Sequence, residues 1–208
     1  MDMKAMWDER YGQKEYAYGV NPNEFLKEAL QRYKVRGKIL FPADGEGRNG
    51  VYAAEKGLLV TSFDLSIEGK KKALNLAEER GVQLRYEVGN LFEQNVLASE
   101  YDAVALIYAH FPPNLRAQYH QKVVDLLAEG GLIIIEGFST NNLPYREKNP
   151  KVGGPANIEM LFTEEMMQTD FRNLEILYLE EVETELKEGL YHVGLGKVIR
   201  FIGRKSKG

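Results

Sequence analysis

Residues 38–50 read KILFPADGEGRNG. The first five are an apolar run of strand length, and the run ends in a glycine-rich loop. Residues 48–56 predict a helix, and Gly57 is typical of the position where a helix stops. Residues 45–50 match the pattern Gly-x-Gly-x-x-Gly between the strand and the helix. The stretch therefore predicts a strand, a ligand-binding loop and a helix, in that order.

The chain around this stretch alternates strands with helices. Helices are predicted to begin at Asn21, Ser66 and Pro112, the last of them stopping at Gly130. Apolar or alternating runs predict further strands at residues 58–63, 83–88, 101–108 and 132–135. Strands that alternate with helices and are apolar on both faces form parallel sheets covered by helices. We therefore expect an α/β fold with a mostly parallel twisted sheet and helices on both faces.

The last third of the chain has a different pattern. Residues 139–157 are rich in Asn, Pro, Gly and Lys, which predicts a long loop of the kind that serves as a lid. Thr163 begins a short helix, and residues 174–186 and 190–204 alternate as an antiparallel hairpin at one edge of the sheet. We expect a single domain over residues 1–208, with an N-terminal helical cap segment at 1–36, a cofactor-binding half at 37–137, and the loop, short helix and hairpin at 138–208.

Composition limits the classes of function. Of 208 residues, 27 are Lys or Arg and 31 are Asp or Glu, which gives a net charge of −4. Such a balance argues against nucleic acid and anionic lipid as partners. The lack of Cys excludes disulfides, thiolate metal sites and a cysteine nucleophile. No apolar run approaches the ~20 residues that a bilayer requires. We expect a cytoplasmic protein with a small-molecule partner, either monomeric or homodimeric.

The loop at residues 45–50 has two interpretations as a binding site. Asp64 ends the second predicted strand, where a carboxylate accepts hydrogen bonds from the hydroxyls of a ribose. Asp44 and Glu46 would repel a pyrophosphate but suit the ammonium and sulfonium of S-adenosylmethionine. The alternative is that Gly45 and Gly47 only turn the chain and that Asp64 only caps a helix.

Five blocks of the sequence resemble the class I S-adenosylmethionine-dependent methyltransferases. Within that class they are similar to the small group that includes the tellurite-resistance and thiopurine methyltransferases. The blocks are WDERY at 7–11, GEGRN at 45–49, FDLS at 63–66, VGNL at 88–91 and PPNLR at 112–116. The resemblance implies a Rossmann-like methyltransferase fold and S-adenosylmethionine as the cofactor.

The resemblance also implies roles for individual residues around the cofactor. A glycine loop with Ala43, Gly45 and Gly47 wraps the methionine part of the cofactor, and Asp64 with its neighbour Leu65 holds the ribose. Asn90 and Leu91, after strand three, flank the adenine, and the N-terminal Trp7 and Tyr11 close over the cofactor. Relatives have an acid at the position of Phe41, a glycine at that of Ala43 and an acid at that of Asn90. These departures predict weaker cofactor binding.

The segment after strand four supplies the candidates for catalysis. The resemblance places Tyr108 and His110 beside the transferred methyl group, with Tyr108 also touching the cofactor. His120 is predicted to be a solvated helical residue. His192 is predicted to be an exposed strand residue, and the alternative is that it faces the same pocket from the last hairpin. No spacing of the histidines assembles a metal site. The residues proposed for the acceptor pocket are Phe111, Tyr145 and Arg146, of which Arg146 suits an anion.

The sequence thus predicts in-line methyl transfer from S-adenosylmethionine to a small molecule such as a thiol, selenide or tellurite-like acceptor. A non-catalytic cofactor-binding or partner-binding module with a degenerate glycine loop stays open as an alternative. An NAD-dependent oxidoreductase is disfavoured by Asp44 and Glu46. A nucleic-acid methyltransferase is disfavoured because Phe111 stands where an Asp or Asn would precede the prolines.

Overall fold

The computed structural model describes residues 3–92 and 100–206. Its centre is a seven-stranded sheet of order β3-β2-β1-β4-β5-β7-β6, in which β1 to β5 are parallel and β7 is antiparallel to both of its neighbours. The strands are β1 (Lys38–Pro42), β2 (Leu59–Asp64), β3 (Arg85–Val88), β4 (Tyr101–Ile107), β5 (Leu127–Phe138), β6 (Leu174–Glu188) and β7 (His192–Lys205). The predictions of a mostly parallel sheet and a C-terminal antiparallel hairpin are confirmed.

Seven α-helices surround the sheet within the described residues. They are α1 (Met3–Tyr11), α2 (Glu24–Arg32), α3 (Arg48–Glu55), α4 (Ile67–Glu79), α5 (Pro113–Asp125), α6 (Leu143–Lys148) and α7 (Glu164–Asp170). Among these residues, no helix is both long enough and apolar enough to cross a membrane.

The buried core has two main parts, one on each face of the sheet. Successive side chains of a strand point to opposite faces. In β4, Val104 and Leu106 belong to the cluster that contains residues of α5 and α7, whereas Ala105 and Ile107 belong to the cluster that contains residues of α2 and α3. Helices therefore cover both faces, as the uninterrupted apolar character of the strands predicts.

The strand order positions the site. From β1 the chain proceeds outward through β2 to β3, then crosses back to place β4 on the other side of β1. Such a reversal opens a crevice at the carboxyl ends of the strands on either side of it. The residues that directly follow β1 and β4, together with the end of β2, meet at this crevice.

Some predicted boundaries need correction. Helix α2 is capped by Asn23 rather than Asn21, because the Asn23 side chain accepts the N–H of Leu26 at 2.9 Å. Strand β5 runs from Leu127 through Gly130 and Gly131, where the helix was expected to stop, because α5 already ends at Asp125 and its C-cap is Leu126.

The segment at 139–157 contains regular structure instead of a long loop. It holds α6 and the short 3₁₀ helices Thr140–Asn142 and Pro150–Val152, and a third 3₁₀ helix, Ile158–Met160, follows. Ser139, Asn149 and Asn157 each accept a backbone N–H two residues further on. Such side-chain bonds begin short turns, so the residues that suggested a loop form a series of capped helical turns.

Candidate active site

A cavity of about 570 Å³ opens at the carboxyl ends of β1, β2 and β4. This volume is within the range of roughly 300–1,000 Å³ that is typical of small-molecule sites. Helix α1 and the start of β7 complete the wall together with residues 89–91 and 153–157. Most of the predicted site residues line it, namely Trp7, Tyr11, Ala43, Gly45, Asp64, Leu65, Asn90, Leu91, Tyr108, His110, Phe111 and Arg146.

Gly47 and Tyr145 are the predicted site residues that do not line the cavity. Gly47 caps α3, and a Cβ at this position would lie 2.4 Å from the Cβ of Ala73 on α4. The hydroxyl of Tyr145 donates to Glu183 on β6, which turns the ring toward the hairpin. Gly47 therefore allows α3 and α4 to pack closely, and Tyr145 braces α6 against β6.

The glycine loop is shaped by close contact with α1. Gly45 has a φ of +58°, and a Cβ there would lie 2.7 Å from the hydroxyl oxygen of Tyr11. The carbonyl of Gly45 accepts the hydroxyl of Tyr86 at 2.5 Å. Ala43 occupies the left-handed region at φ +56°, which costs an L-residue roughly 1–2 kcal/mol. The loop thus keeps a conformation that suits glycine even where the chain has alanine.

Asp64 holds the loop and the following helix together. Its Oδ2 accepts the N–H of Gly45 and its Oδ1 accepts the N–H of Ser66, both at 3.0 Å. Burial raises the pKa of Asp64 to about 6, although these backbone N–H groups favour the carboxylate. Each oxygen keeps a further lone pair for a ligand hydroxyl. Asp64 is therefore a structural acceptor that also lines the cavity.

The two acids of the glycine loop behave differently. Glu46 forms an ion pair of 2.8 Å with Lys72 and accepts the N–H of Ala17 at 2.8 Å, so its charge is neutralised within the protein. Asp44 accepts the Ser62 hydroxyl at 2.7 Å through Oδ2, but its Oδ1 has no hydrogen-bond partner in the described part of the chain. Burial raises the pKa of Asp44 to about 7. The interpretation that both acids attract a cationic ligand is therefore wrong for Glu46, because Lys72 compensates it.

Helix α1 is fixed over the cavity by Asp8, which the sequence reasoning missed. Oδ1 of Asp8 accepts the Ser66 hydroxyl at 2.6 Å and the N–H of Ile67 at 3.0 Å, at the start of α4. Hydrogen bonds from Lys4 and Ser66 hold the pKa of Asp8 at about 2. The Trp7 ring stacks on the Tyr11 ring with centroids 5.3 Å apart. Asp8 lies between these two aromatic residues in sequence, and this position is the feature from which its role could have been predicted.

His110 is engaged by hydrogen bonds at both ring nitrogens. Nδ1 contacts the carbonyl oxygen of Met160 at 2.8 Å, so it carries the proton, and Nε2 accepts the N–H of Phe138 at 3.1 Å. Burial lowers the pKa of His110 to about 4. The imidazole is also stacked on Phe162, with centroids 4.6 Å apart. The arrangement leaves no free lone pair on His110, so this imidazole is not available as a general base.

Tyr108 is held as a hydrogen-bond donor. Its hydroxyl donates to Oε1 of Glu136 at 2.9 Å, and its backbone has a φ of +54°. Burial and the charge of Glu136 raise the pKa of Tyr108 well above its ordinary value. The phenol therefore stays protonated, and its one proton is already committed to Glu136.

The other two histidines are buried, contrary to the predictions that both are exposed. His120 is 0% exposed, and its Nδ1 pairs with Asp170 at 2.7 Å. His192 is 5% exposed and lines the cavity. Sequence periodicity did not reveal either environment, because the residues that enclose them come from distant segments.

Arg10 is a further cavity residue that the sequence reasoning missed. Its guanidinium carbon lies 5.1 Å from the ring centroid of Trp7 and 4.8 Å from that of Tyr191. Its Nη1 donates to the Tyr18 hydroxyl at 2.8 Å. The planar cation is therefore held between aromatic groups at the cavity wall.

Comparison with known proteins agrees with this geometry. Residues 39–131, which include the glycine loop, β2, β4 and α5, match the family model described as "Methyltransferase domain". Over residues 39–131 the chain is therefore similar to a methyltransferase domain. No curated protein sequence matches the chain significantly.

Solved structures share the fold of this chain at low sequence identity. One, from a study of the conversion of a disulfide bond into a thioacetal group during echinomycin biosynthesis, is 16% identical, with a TM-score of 0.79 and coverage of 99% of this chain and 93% of that one. TehB from Haemophilus influenzae is 16% identical, with a TM-score of 0.70 and coverage of 98% and 67%. Magnesium protoporphyrin IX methyltransferase from Synechocystis PCC 6803, with bound SAH, is 16% identical, with a TM-score of 0.66 and coverage of 88% and 80%.

The residues of the cavity fit S-adenosylmethionine. Gly45 lines the cavity, where its lack of a side chain lets the loop pack against Tyr11, and Asp64 keeps acceptor capacity for a ribose hydroxyl. Asp44 forms no ion pair within the described residues, so a cationic ligand would find an uncompensated carboxyl there and would favour its ionised form. The predictions of a methyltransferase and of this cofactor are confirmed by the family. No group of three or more His, Asp or Glu among the described residues could hold a metal ion.

Proposed function

We propose that this methyltransferase methylates a small molecule that carries an anionic group. The observation that supports the proposal is the distribution of charge in the cavity. Acids lie at the carboxyl ends of β1 and β2, where Asp44 and Asp64 line the wall. Arginines lie at the side formed by α1, α6 and the turn of the β6–β7 hairpin, where Arg10 and Arg146 line it. A cationic cofactor suits the first side, and an anionic acceptor suits the second.

Arg10 and Arg146, which are half-buried, differ from Arg48, which also lines the cavity, and from Arg200 in having no carboxylate partner. Arg48 pairs with Glu188 at 2.9 Å, and Arg200 pairs with Glu136 at 2.5 Å. Neither Arg10 nor Arg146 forms an ion pair within the described residues; Arg146 instead donates Nε–H to the carbonyl oxygen of Gly154 at 3.1 Å. A guanidinium presents a planar set of donors that matches a carboxylate or another oxyanion. The unpaired charge is thus available to a ligand.

On the cofactor side of the cavity, the residues of the chain act mainly by positioning the cofactor and not by transferring protons. S-adenosylmethionine, when bound, supplies an electrophilic methyl group. Asp64 and the loop at Gly45 would hold it, and Trp7 and Tyr11 on α1 would cover it and exclude water. Correct alignment of nucleophile and methyl carbon contributes up to roughly 7–11 kcal/mol to such a displacement.

Tyr108 and His110 have a positioning role in this proposal. The hydroxyl of Tyr108 ties the end of β4 to β5 through Glu136, and the imidazole of His110 ties it to Met160 and to the backbone of Phe138. The segment after β4 is thereby fixed as a rigid wall of the cavity. Phe111 continues this wall, with its ring stacked on Tyr119 at a centroid distance of 4.3 Å.

Calorimetric titration with S-adenosylhomocysteine, with NADH as the control ligand, tests the proposed cofactor site. We expect micromolar binding of the first ligand and none of the second. Acceptors are then screened as matched pairs of small thiols with and without a carboxylate, and with selenite and tellurite. Preference for the carboxylate-bearing member supports the proposal. Failure to bind S-adenosylhomocysteine would contradict it and favour a non-catalytic partner-binding module.

A further inference from the structure

His192 forms a hydrogen-bonded pair with Glu188 at the cavity wall. These residues end β6 and begin β7, on either side of the hairpin turn. Nδ1 of His192 lies 3.0 Å from Oε2 of Glu188. The same carboxylate oxygen accepts Nη2 of Arg48 at 2.9 Å, and Oε1 accepts the side-chain amide of Asn23 at 3.1 Å. Glu188 is thus anchored from α3 and from the cap of α2.

These contacts define the tautomer of His192. An ionised carboxylate only accepts hydrogen bonds, so Nδ1 must carry the proton and Nε2 must carry the lone pair. Burial opposes ionisation of Glu188, but Arg48 and His192 hold its pKa at about 2. Burial lowers the pKa of His192 against the opposing effect of Glu188, and the cations Arg48 and Arg10 lower it further. The imidazole is therefore neutral at neutral pH.

The lone pair of Nε2 is open to the cavity. Nε2 accepts no hydrogen bond from the described residues, and it is not one of their fully buried unpaired atoms. A Cβ on Gly153 would lie 2.7 Å from Cδ2 and 3.2 Å from Nε2 of His192. Since Gly153 has no side chain and a φ of +85°, the space beside Nε2 stays free. His110 shows the opposite case, because both of its ring nitrogens are occupied.

The imidazole of His192 is fixed in orientation beside the acceptor side of the cavity. Its centroid lies 4.4 Å from that of Tyr18 and 4.4 Å from that of Tyr108. The hydroxyl of Tyr18 binds Arg10, and Arg10 lies over the ring of Tyr191, the neighbour of His192 in sequence. An acceptor held by Arg10 is consequently within the same part of the cavity as Nε2.

We propose, on the basis of the methyl transfer proposed above, that His192 is the general base for the acceptor and that Glu188 is its positioning residue. The acceptor forms a bond to the methyl carbon, the electron pair of the breaking carbon–sulfur bond stays on sulfur, and the acceptor's proton passes to Nε2. The resulting imidazolium is stabilised by Glu188. The acceptor class is one whose reacting group carries a proton at neutral pH, such as an alkyl thiol, because a metalloid oxyanion needs no base.

The protonation state of His192 can be measured without turnover. Nitrogen-15 imidazole spectra are recorded for the full chain saturated with S-adenosylhomocysteine, and the signals of His192 are assigned by their loss in His192→Gln. We expect a proton on Nδ1 and none on Nε2 at pH 7.5. Glu188→Gln should disturb this state, because an amide in that position no longer requires Nδ1–H. A proton on Nε2 in the unmodified protein would overturn the assignment.

Transfer rates to two thiols give a second readout. The probes are 3-mercaptopropionate, which is protonated at pH 7.5, and 5-thio-2-nitrobenzoate, which is already a thiolate. We expect His192→Gln to lower kcat/KM for the first by roughly 10²–10⁴-fold, the usual contribution of a general base, and to change the second by only a few-fold. Equal losses of kcat/KM for both thiols would overturn the assignment of His192 as the general base.

These outcomes separate the two proposals. Failure of the unmodified protein to bind S-adenosylhomocysteine refutes the proposed function. Normal binding with a proton on Nε2 refutes the general base alone. The spectra test the tautomer that a general base requires even where neither thiol is methylated.

Discussion

At the level of single residues, Asp64 provides a test of the proposed cofactor site. We expect Asp64→Ala to weaken binding of S-adenosylhomocysteine by roughly 10–100-fold, because hydrogen bonds to a charged group contribute about 1.5–3 kcal/mol. Asp64→Asn keeps one acceptor oxygen and should lose less. Calorimetry measures both affinities, with circular dichroism as the check on folding. Unchanged affinity in Asp64→Ala would contradict the placement of the ribose.

Arg10 and Arg146 provide a test of acceptor charge. Methionine at either position keeps a long apolar side chain but removes the guanidinium. We expect each variant to lower kcat/KM for a carboxylate-bearing thiol by about 10–100-fold, through the loss of charged hydrogen bonds. The matched neutral thiol serves as the control and should change little. An equal loss for both thiols would show that the arginines act on structure instead of on acceptor charge.

Helix α1 provides a prediction at the level of elements. It is attached to the start of α4 through Asp8, whose side chain adds to the capping of that helix. Asp8→Ala removes a capping acceptor, which costs roughly 0.5–2 kcal/mol. We therefore expect several-fold weaker binding of S-adenosylhomocysteine and faster proteolysis within residues 3–11.

Lys4→Met is the matched control for Asp8→Ala. It removes the exposed ion pair between Lys4 and Asp8 but leaves the contacts of Asp8 with α4. Exposed pairs contribute about 0–1 kcal/mol, so both readouts should stay close to those of the unmodified protein. Equal effects of the two substitutions would mean that the cap does not hold α1.

At the level of the whole molecule, the acids beneath the cavity oppose folding at high pH. The pKa values of Asp44 and Asp64 are raised to about 7 and about 6, so the folded chain binds these protons more tightly than the unfolded chain. These groups therefore make the free energy of unfolding fall as pH rises from about 4 to 7. A cationic ligand should offset this loss, so S-adenosylmethionine, which carries a sulfonium, is expected to raise the Tm more at pH 8 than at pH 5.

Asp44→Asn tests this linkage. The amide oxygen still accepts the Ser62 hydroxyl but carries no charge. We expect the Tm to rise at both pH values but by at least about 2–4 °C more at pH 8 than at pH 5, a difference that corresponds to about 1 kcal/mol for a chain of this size. Asp125→Asn, at an exposed position on α5, is the control. An equal rise at both pH values would show that Asp44 does not change its protonation over this range.

The sequence was sufficient for features that depend on near neighbours in the chain. The apolar run at 38–42, the loop at 43–47 and the capping Ser66 are local patterns, and strand, turn and cap follow from the backbone preferences of those residues. The same holds for Asp64, because a residue at the end of a parallel strand lies at the carboxyl edge of the sheet irrespective of the rest of the fold. The apolar strands also required helices on both faces.

The tertiary structure decided which polar side chains are free to act. Local sequence pattern does not distinguish the three histidines. Met160 and Phe138 form hydrogen bonds with both ring nitrogens of His110, and Asp170 pairs with Nδ1 of His120. These partners lie 28 to 50 residues away in the chain. Lys72 neutralises Glu46 in the same way from 26 residues away. Only His192 combines a carboxylate at Nδ1 with a lone pair open to the cavity. The physical reason is that desolvation and hydrogen-bond pairing determine the reactivity of a polar group, and both depend on segments that meet only in the folded chain.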